Sequence, residues 1–338
     1  MNTTLSETFK KLKEKLDKSN RIFITMSPPD GDSIGSALAL YNEFTKLGKE
    51  VVVQSSFEIP KYLTFVPFVK FIVIDDVANV DFSSFDMTIM VDGGDAGRVV
   101  KFSHHPEGFN FPEGTFLVCF DHHATHTGKF DIDLIDIKSA STCQIVFDFF
   151  ESAGIKMDAN SATLLYTGMY TDTGGFMHSN STPTVYRAAA DVLEAGADRE
   201  LVILNVEKTQ NPEAIQLAAE GLKDMEIVQE DDFKYVIVTL KKELLDKYES
   251  DQIEDALNIL KSSPGFIRNV EGTDFGIIIN QNKDIVSVSF RARTERFDLA
   301  KVCERYGGGG HRNACAFRSR LSLYEVVDSL KEQIKIML

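Results

Sequence analysis

The sequence predicts an α/β fold in two parts: a larger N-terminal domain on a doubly wound, mainly parallel sheet, and a smaller C-terminal α/β domain with a mixed sheet. Three observations carry that prediction. Apolar, β-rich runs alternate with helix-period segments from residue 20 to about residue 185, which is how βα units of a parallel sheet read. Three of those runs end at acidic clusters, so carboxylates stand at strand carboxyl ends, where open α/β sheets bind ligands. A second β-containing pattern begins at Glu226, and 338 residues exceed one ordinary domain.

The elements follow in order. Lys10, Lys11, Lys13, Glu14 and Lys15 mark an amphipathic N-terminal helix that lacks the apolar core of a signal peptide. Arg21–Met26 reads as a strand and residues 33–47 as a helix stopped by Gly48. Residues 51–54, 71–74, 87–91 and 116–120 are further strands; residues 142–153 and 159–170 are helices. Residues 182–225 are helical, with Pro183 in a first turn and Asn211-Pro212 opening another helix. The second part then has β-structure in 226–240, a helix at 251–260, a hairpin of 275–280 with 285–290, a short helix at 297–306, a glycine run and a final helix at 322–336. The expected division is a catalytic domain at 1–185, a helical linker at 186–225 and a substrate-binding domain at 226–338.

Composition narrows the function. The formal net charge of -15 disfavours long duplex nucleic acid, whose binding depends on neutralising phosphates. The charge is uneven, however: residues 286–320 hold eight Lys/Arg against three Asp/Glu, a local patch suited to an anionic ligand. No apolar run is long enough to span a membrane. Cys119, Cys143, Cys303 and Cys315 are widely spaced in apolar segments and read as buried free thiols of a cytoplasmic protein.

Four acidic clusters carry the chemistry: Asp30-Gly31-Asp32, Asp92, Asp121-His122-His123 and Asp172. Five carboxylates and two imidazoles in one crevice repel unless divalent cations join them, which points to a metal-dependent hydrolase. Gly31 tightens a strand-to-helix turn and Ser33 can cap the helix. A Gly-Asp-Ser esterase is rejected, because no histidine has an Asp three residues before it. His104-His105 sits in a Pro/Gly-containing loop with no strand before it and reads as structural. In Gly307-Gly308-Gly309-Gly310-His311, glycine amides can form an anion nest, with His311 and Arg291 or Arg312 reaching a phosphate.

Together these residues resemble the DHH phosphoesterase superfamily, named for the Asp-His-His seen at 121–123. Asp30 to Ser36 is similar to its first motif, Asp92 to its second and Tyr166 to Phe176 to its fourth. Val288 to Arg291 and Gly307 to His311 are similar to the DHH-associated C-terminal domain. The length resembles the nanoRNase/phosphoadenosine-phosphate phosphatase branch. The resemblance implies two Mn²⁺ ions in a cleft between the domains. Asp32, Asp92, His122 and Asp172 would hold one ion, and Asp30 with a bridging Asp92 the other. Asp121 would orient His122 and His123 would face the scissile phosphate, so Asp92, Asp121, His122 and His123 form the catalytic set. Ser289, Arg291, Gly308, Gly309, Gly310 and His311 would hold the substrate together with His123.

One position departs from the family pattern. Met26 stands where relatives carry a histidine ligand four residues before the first Asp, and a thioether suits Mn²⁺ poorly. A tight second metal site and a labile first one are expected, with His104, His105 and His126 as candidate replacements. The implied activity is hydrolysis of short linear nucleotides (5′-pApA, nanoRNA) to monophosphates, and of phosphoadenosine phosphate. Alternatives are cyclic di-AMP hydrolysis, exopolyphosphatase or pyrophosphatase activity, and a catalytically weak nucleotide-binding protein. A homodimer through the larger domain is compatible with each.

Overall fold

The computed structural model describes residues 3–123, 129–208, 211–262, 267–282, 284–294 and 296–337. The chain divides into two units, Met1–Thr209 and Gln210–Leu338. In the first, α1 (Thr3–Lys18), β1 (Arg21–Met26), α2 (Gly31–Lys46), β2 (Glu50–Ser55) and β3 (Ile72–Ile74) are followed by β4 (Met87–Val91), β5 (Leu117–Asp121) and β6 (Ile132–Ile135). Helices α3 (Thr142–Ala153), α4 (Ala159–Asp172), α5 (Pro183–Glu194) and α6 (Arg199–Ile203) complete it. The sheet order is β3-β2-β1-β4-β5-β6 and all its pairs are parallel. The α/β parallel-sheet expectation therefore holds, with β6 an addition. Its sequence, Ile-Asp-Leu-Ile, is too short to stand out by periodicity.

Strands β1 and β4 are buried along almost their whole length, as central parallel strands require. Ile22, Ile24 and Met26 share one face of β1 and enter the main core, while Phe23 faces a second cluster with Phe82 and Val99. Phe149 of α3 is the hub of the main core. Its ring lies 5.8 Å from Phe9, 6.4 Å from Phe44 and 6.0 Å from Phe120. It thereby ties α1, α2 and β5 together one residue before Asp121.

In the second unit α7 (Pro212–Lys223), β7 (Glu226–Gln229), β8 (Lys234–Leu240), α8 (Lys242–Leu245) and α9 (Ser250–Ser262) precede the hairpin of β9 (Phe275–Asn282) and β10 (Ile285–Ala292). There follow α10 (Leu299–Glu304), β11 (Gly309–His311), β12 (Ala314–Ser319) and α11 (Leu323–Met337). The order is β11-β12-β10-β9-β8-β7, with only the β8–β9 pair parallel, so the sheet is mixed as expected. The helical stretch 182–225 is divided: α5 and α6 lie in the first unit and α7 in the second.

Candidate metal centre and substrate face

The first unit gathers its acids after β1 and β4, at the end of β5, and at the ends of helices α2 and α4. Asp30 is the N-cap of α2: its Oδ1 accepts from the amides of Asp32 (3.0 Å) and Ser33 (2.9 Å), and Ser33 Oγ accepts from the Asp30 amide (2.9 Å). Asp32, in the first turn, is fully buried. Its Oδ2 accepts from the Thr142 amide (2.6 Å) and its Oδ1 from the Cys143 amide (2.8 Å). The start of α3 thus donates two otherwise unpaired helix amides to this carboxylate, which stabilises its charge.

Asp92 follows β4 with φ +58°, a left-handed conformation that Asp tolerates better than most residues. Such backbone costs about 1–3 kcal/mol and persists only where neighbours fix it. Here its amide donates to Phe120 O (2.8 Å), Ser27 Oγ donates to Oδ2 (3.2 Å) and Thr142 Oγ1 donates to Oδ1 (3.3 Å). Asp172, at the last turn of α4, reaches His122 Nε2 with Oδ2 at 3.1 Å. The same Nε2 lies 3.7 Å from Asp92 Oδ1 and 3.9 Å from Asp32 Oδ2. Two donor groups, Asp32–His122–Asp172 and Asp92–His122–His123, each have ligand atoms within 4.8 Å of one another.

Asp121 ends β5, and the chain turns around its carboxylate. Oδ1 accepts from the amides of His122 (2.9 Å) and His123 (3.2 Å) and pairs with His123 Nδ1 at 2.7 Å. The ring that Asp121 orients is therefore that of His123, where the resemblance pairs Asp121 with His122; the His122 ring is turned to Asp172. Asp30 belongs to neither donor group, although its charge acts on Asp92. Met26 is fully buried with Ile22 and Ile24 in the core. His104 and His105 pair with Asp76 (3.8 and 2.7 Å) and belong to neither donor group, so they do not stand in for the absent histidine ligand, and His126 lies outside the described residues.

The electrostatics are those of a cation site. Burial, then the charges of Asp30, Asp32, Asp172 and Asp121, push Asp92 well above the usual carboxylate range. Burial and Asp32 raise Asp172 to about 7, against the opposing hydrogen bond to His122. Burial alone would depress His122, but the hydrogen bond to Asp172 and the field of Asp32 carry it to about 9. Asp121 is also buried, yet its bond to His123 holds it below the usual range. Its Oδ2 is buried with no hydrogen-bond partner among the described residues. Crowded carboxylates beside imidazoles, one oxygen orphaned, fit a divalent metal with an oxygen-and-nitrogen shell.

The second unit puts the other predicted residues on one sheet face. Opposite β12, Arg291 pairs with Ala314 and Ser289 with Ala316; on its other edge Ala314 pairs with His311 and Ala316 with Gly309. Period two then places Arg291, Ser289, Gly309 and His311 on one face, separated by two small alanines. The expected nest is instead an edge strand: β11 pairs with β12, and a Cβ on Gly308 would meet Ala316 O at 2.2 Å. Lys261 and Arg318 join Arg291 electrostatically. Burial comes first and then the charges of Arg291 and Arg318 in lowering Lys261. No local signal marks Ser27 or Thr142 for the metal centre, or Lys261 for this face, because each arrives through tertiary packing.

Residues 21–169 match the DHH family, N-terminal domain. The chain is 28% identical over 285 residues to a bifunctional oligoribonuclease and PAP phosphatase NrnA of Thermus thermophilus, covering 84% of this chain and 79% of that protein. It is 26% identical over 306 residues to a probable bifunctional oligoribonuclease and PAP phosphatase NrnA of Streptococcus mutans, covering 90% of each. An exopolyphosphatase-related protein from Bacteroides fragilis shares the fold, with a TM-score of 0.86 at 22% identity over 98% of this chain and 96% of that one.

Proposed function

We propose that this DHH-family chain, a metal-dependent phosphoesterase, is a Mn²⁺-dependent enzyme that hydrolyses short linear nucleotides such as 5′-pApA and nanoRNA to nucleoside monophosphates, and also phosphoadenosine phosphate. The observation that carries the chemistry is the convergence of Asp32, Asp92 and Asp172 on His122 Nε2. The substrate class is supported by similarity along most of the chain to oligoribonuclease and PAP phosphatase relatives. Asp32, Asp92, His122 and Asp172 would hold one ion and Asp30 with Asp92 the second, which with Met26 in place of a histidine is the weaker. When bound, the ions supply Lewis-acid charge for the phosphoryl oxygens and activate water.

The chain's own residues do the rest. Asp121 accepts from His123 Nδ1–H and so leaves His123 Nε2 to bind a phosphoryl oxygen or move a proton. The amides of Thr142 and Cys143 fix both oxygens of Asp32, and Ser27 and Thr142 fix those of Asp92, which holds the site's shape against its own repulsion. Arg291, Ser289 and His311 on one face of the second sheet bind the substrate's other phosphate or terminal group, with Lys261 and Arg318 adding positive charge. A cytoplasmic setting is part of the same proposal and is supported by four free cysteines.

The test is product formation with Mn²⁺ from 5′-pApA, cyclic di-AMP, phosphoadenosine phosphate and pyrophosphate under identical conditions. Release of AMP from 5′-pApA should be fastest and the cyclic substrate slow. Faster turnover of the cyclic nucleotide or of pyrophosphate would overturn the substrate assignment; turnover of none would point to a binding protein.

A further inference from the structure

Cys303 of α10 and Cys315 of β12 are buried in the core of the second unit, on the sheet face opposite Arg291 and Ser289. Their sulfurs lie 2.7 Å apart. Both cysteines also hold the glycine run through their backbones. The Gly308 amide donates to Cys303 O (2.9 Å), and Gly310 pairs with Cys315 across the β11–β12 ladder. A Cβ on Gly310 would lie 2.7 Å from Cys315 Cα, so strand and cysteine pack backbone to backbone. Gly307 (φ +73°) and Gly310 (φ +138°) use conformations that favour glycine, which lets so short a segment turn back on itself.

We propose that Cys303 and Cys315 form a thiol–disulfide modification site, oxidised by hydrogen peroxide, whose cross-link fastens the Gly307–His311 segment between α10 and β12. One thiolate attacks the peroxide; the O–O bond breaks, a sulfenic acid forms, and the departing hydroxide takes the proton that the thiol gave up and leaves as the first water. The second sulfur attacks the sulfenic sulfur; the S–S bond forms, the S–O bond breaks, and the second thiol's proton departs with the second water. Two thiols lose two electrons and two protons in all, and the peroxide is reduced to two waters.

The surroundings set how this proceeds. The hydrogen bond to Cys315 and burial push the Cys303 thiol up, so the closed form reacts slowly. The Arg291 guanidinium opposes that rise at Cys303 and so favours its thiolate once the thiol is reached. Access comes through opening of β11, a three-residue exposed edge strand that offers little resistance. A disulfide that forms on opening and is reversed by thiols is the transient, sensing kind found in reducing compartments.

The test uses the full chain, treated with hydrogen peroxide, denatured and alkylated. Expected are an intact mass lower by two hydrogens, a peptide cross-link joining Cys303 to Cys315, free Cys119 and Cys143, and recovery of all four thiols with dithiothreitol. Amide exchange at Gly308 to His311 should slow in the oxidised chain. Full alkylation of Cys303 and Cys315 after peroxide, their conversion to sulfinic acids, or pairing with Cys119 or Cys143 would each overturn the proposal. Wild-type chain decides it; a Cys303→Ser chain should in addition lose the cross-link and collect sulfenic or sulfinic acid at Cys315.

Discussion

Asp92 combines a left-handed backbone, near-complete burial and a carboxyl raised well above its usual range, three costs on one residue. Asn accepts the same φ and removes the charge. Asp92→Asn should therefore keep the fold and lower kcat by roughly 10²–10³-fold, the scale of a lost electrostatic contact to a transition state. Because an ionised Asp92 destabilises the metal-free fold, the same change should raise the metal-free Tm. A lower Tm would mean that the hydroxyls of Ser27 and Thr142 outweigh the repulsion. Protons give a second test. The folded-state values of Asp172 (about 7) and His122 (about 9) both lie above their ordinary ones. Each group then contributes stability that is present below its unfolded value and lost as pH rises through the folded one. Metal-free chain should lose stability between about pH 4 and pH 9 through these two groups, while Mn²⁺ affinity rises over the same interval as the ion displaces fewer protons. Calorimetric titration at pH 6 and pH 8 checks the affinity and counts the ions. A flat response would remove Asp172 and His122 from the ligand set, and two equally tight ions would remove the weak first site.

The site's shape is fixed where helices α2 and α4 touch. A Cβ on Gly31 would lie 2.3 Å from Thr171 Oγ1, and one on Gly35 2.5 Å from Leu164 O. One on Gly168 would lie 2.3 Å from Cys143 Sγ and 2.7 Å from Asp32 Oδ1. These three glycines let the two helices close until Asp32 and Asp172 share His122. Gly168→Ala should cost about 1–3 kcal/mol by overpacking, and should reduce activity more than that loss of folded chain explains, since it displaces Asp32 itself. Denaturant unfolding and kcat on the same preparation separate the two effects; activity falling only with folded fraction would make Gly168 a packing residue alone. This seam also shows where sequence reading stops. Acids following β1, β4 and β5 were legible because apolar runs and the residues after them are local signals. That a glycine inside α4 serves an aspartate in α2 is not local, nor is the donation of α3 amides to Asp32. Three glycine-run residues paired as β11 were hidden for a related reason. Glycine carries no strand propensity, and here the partner strand's close approach, not the segment's own preference, selects the extended form.

At the scale of the whole molecule, charge is distributed against composition. The chain carries a net charge of -15, yet one face of the second sheet carries Arg291 and Arg318, with Lys261 of α9 within their field. A short anion feels chiefly the local cations, because more distant acids lie beyond the screening length of about 8–10 Å at physiological salt. A long polynucleotide extends past the cationic face and meets the acidic surface as well. Low salt should then favour a dinucleotide over a 20-mer strongly, since both the local attraction and the distant repulsion are at full strength. Rising salt weakens the two together, so kcat/KM for 5′-pApA should fall while that for the 20-mer falls less or rises. The ratio of the two should shrink by roughly tenfold between low and physiological ionic strength, a change of about 1.4 kcal/mol in relative barrier. Initial rates on both substrates at two salt concentrations measure it. A ratio independent of salt would locate the length preference in steric closure rather than in charge, and Arg318→Gln and Lys261→Met would then leave it unchanged.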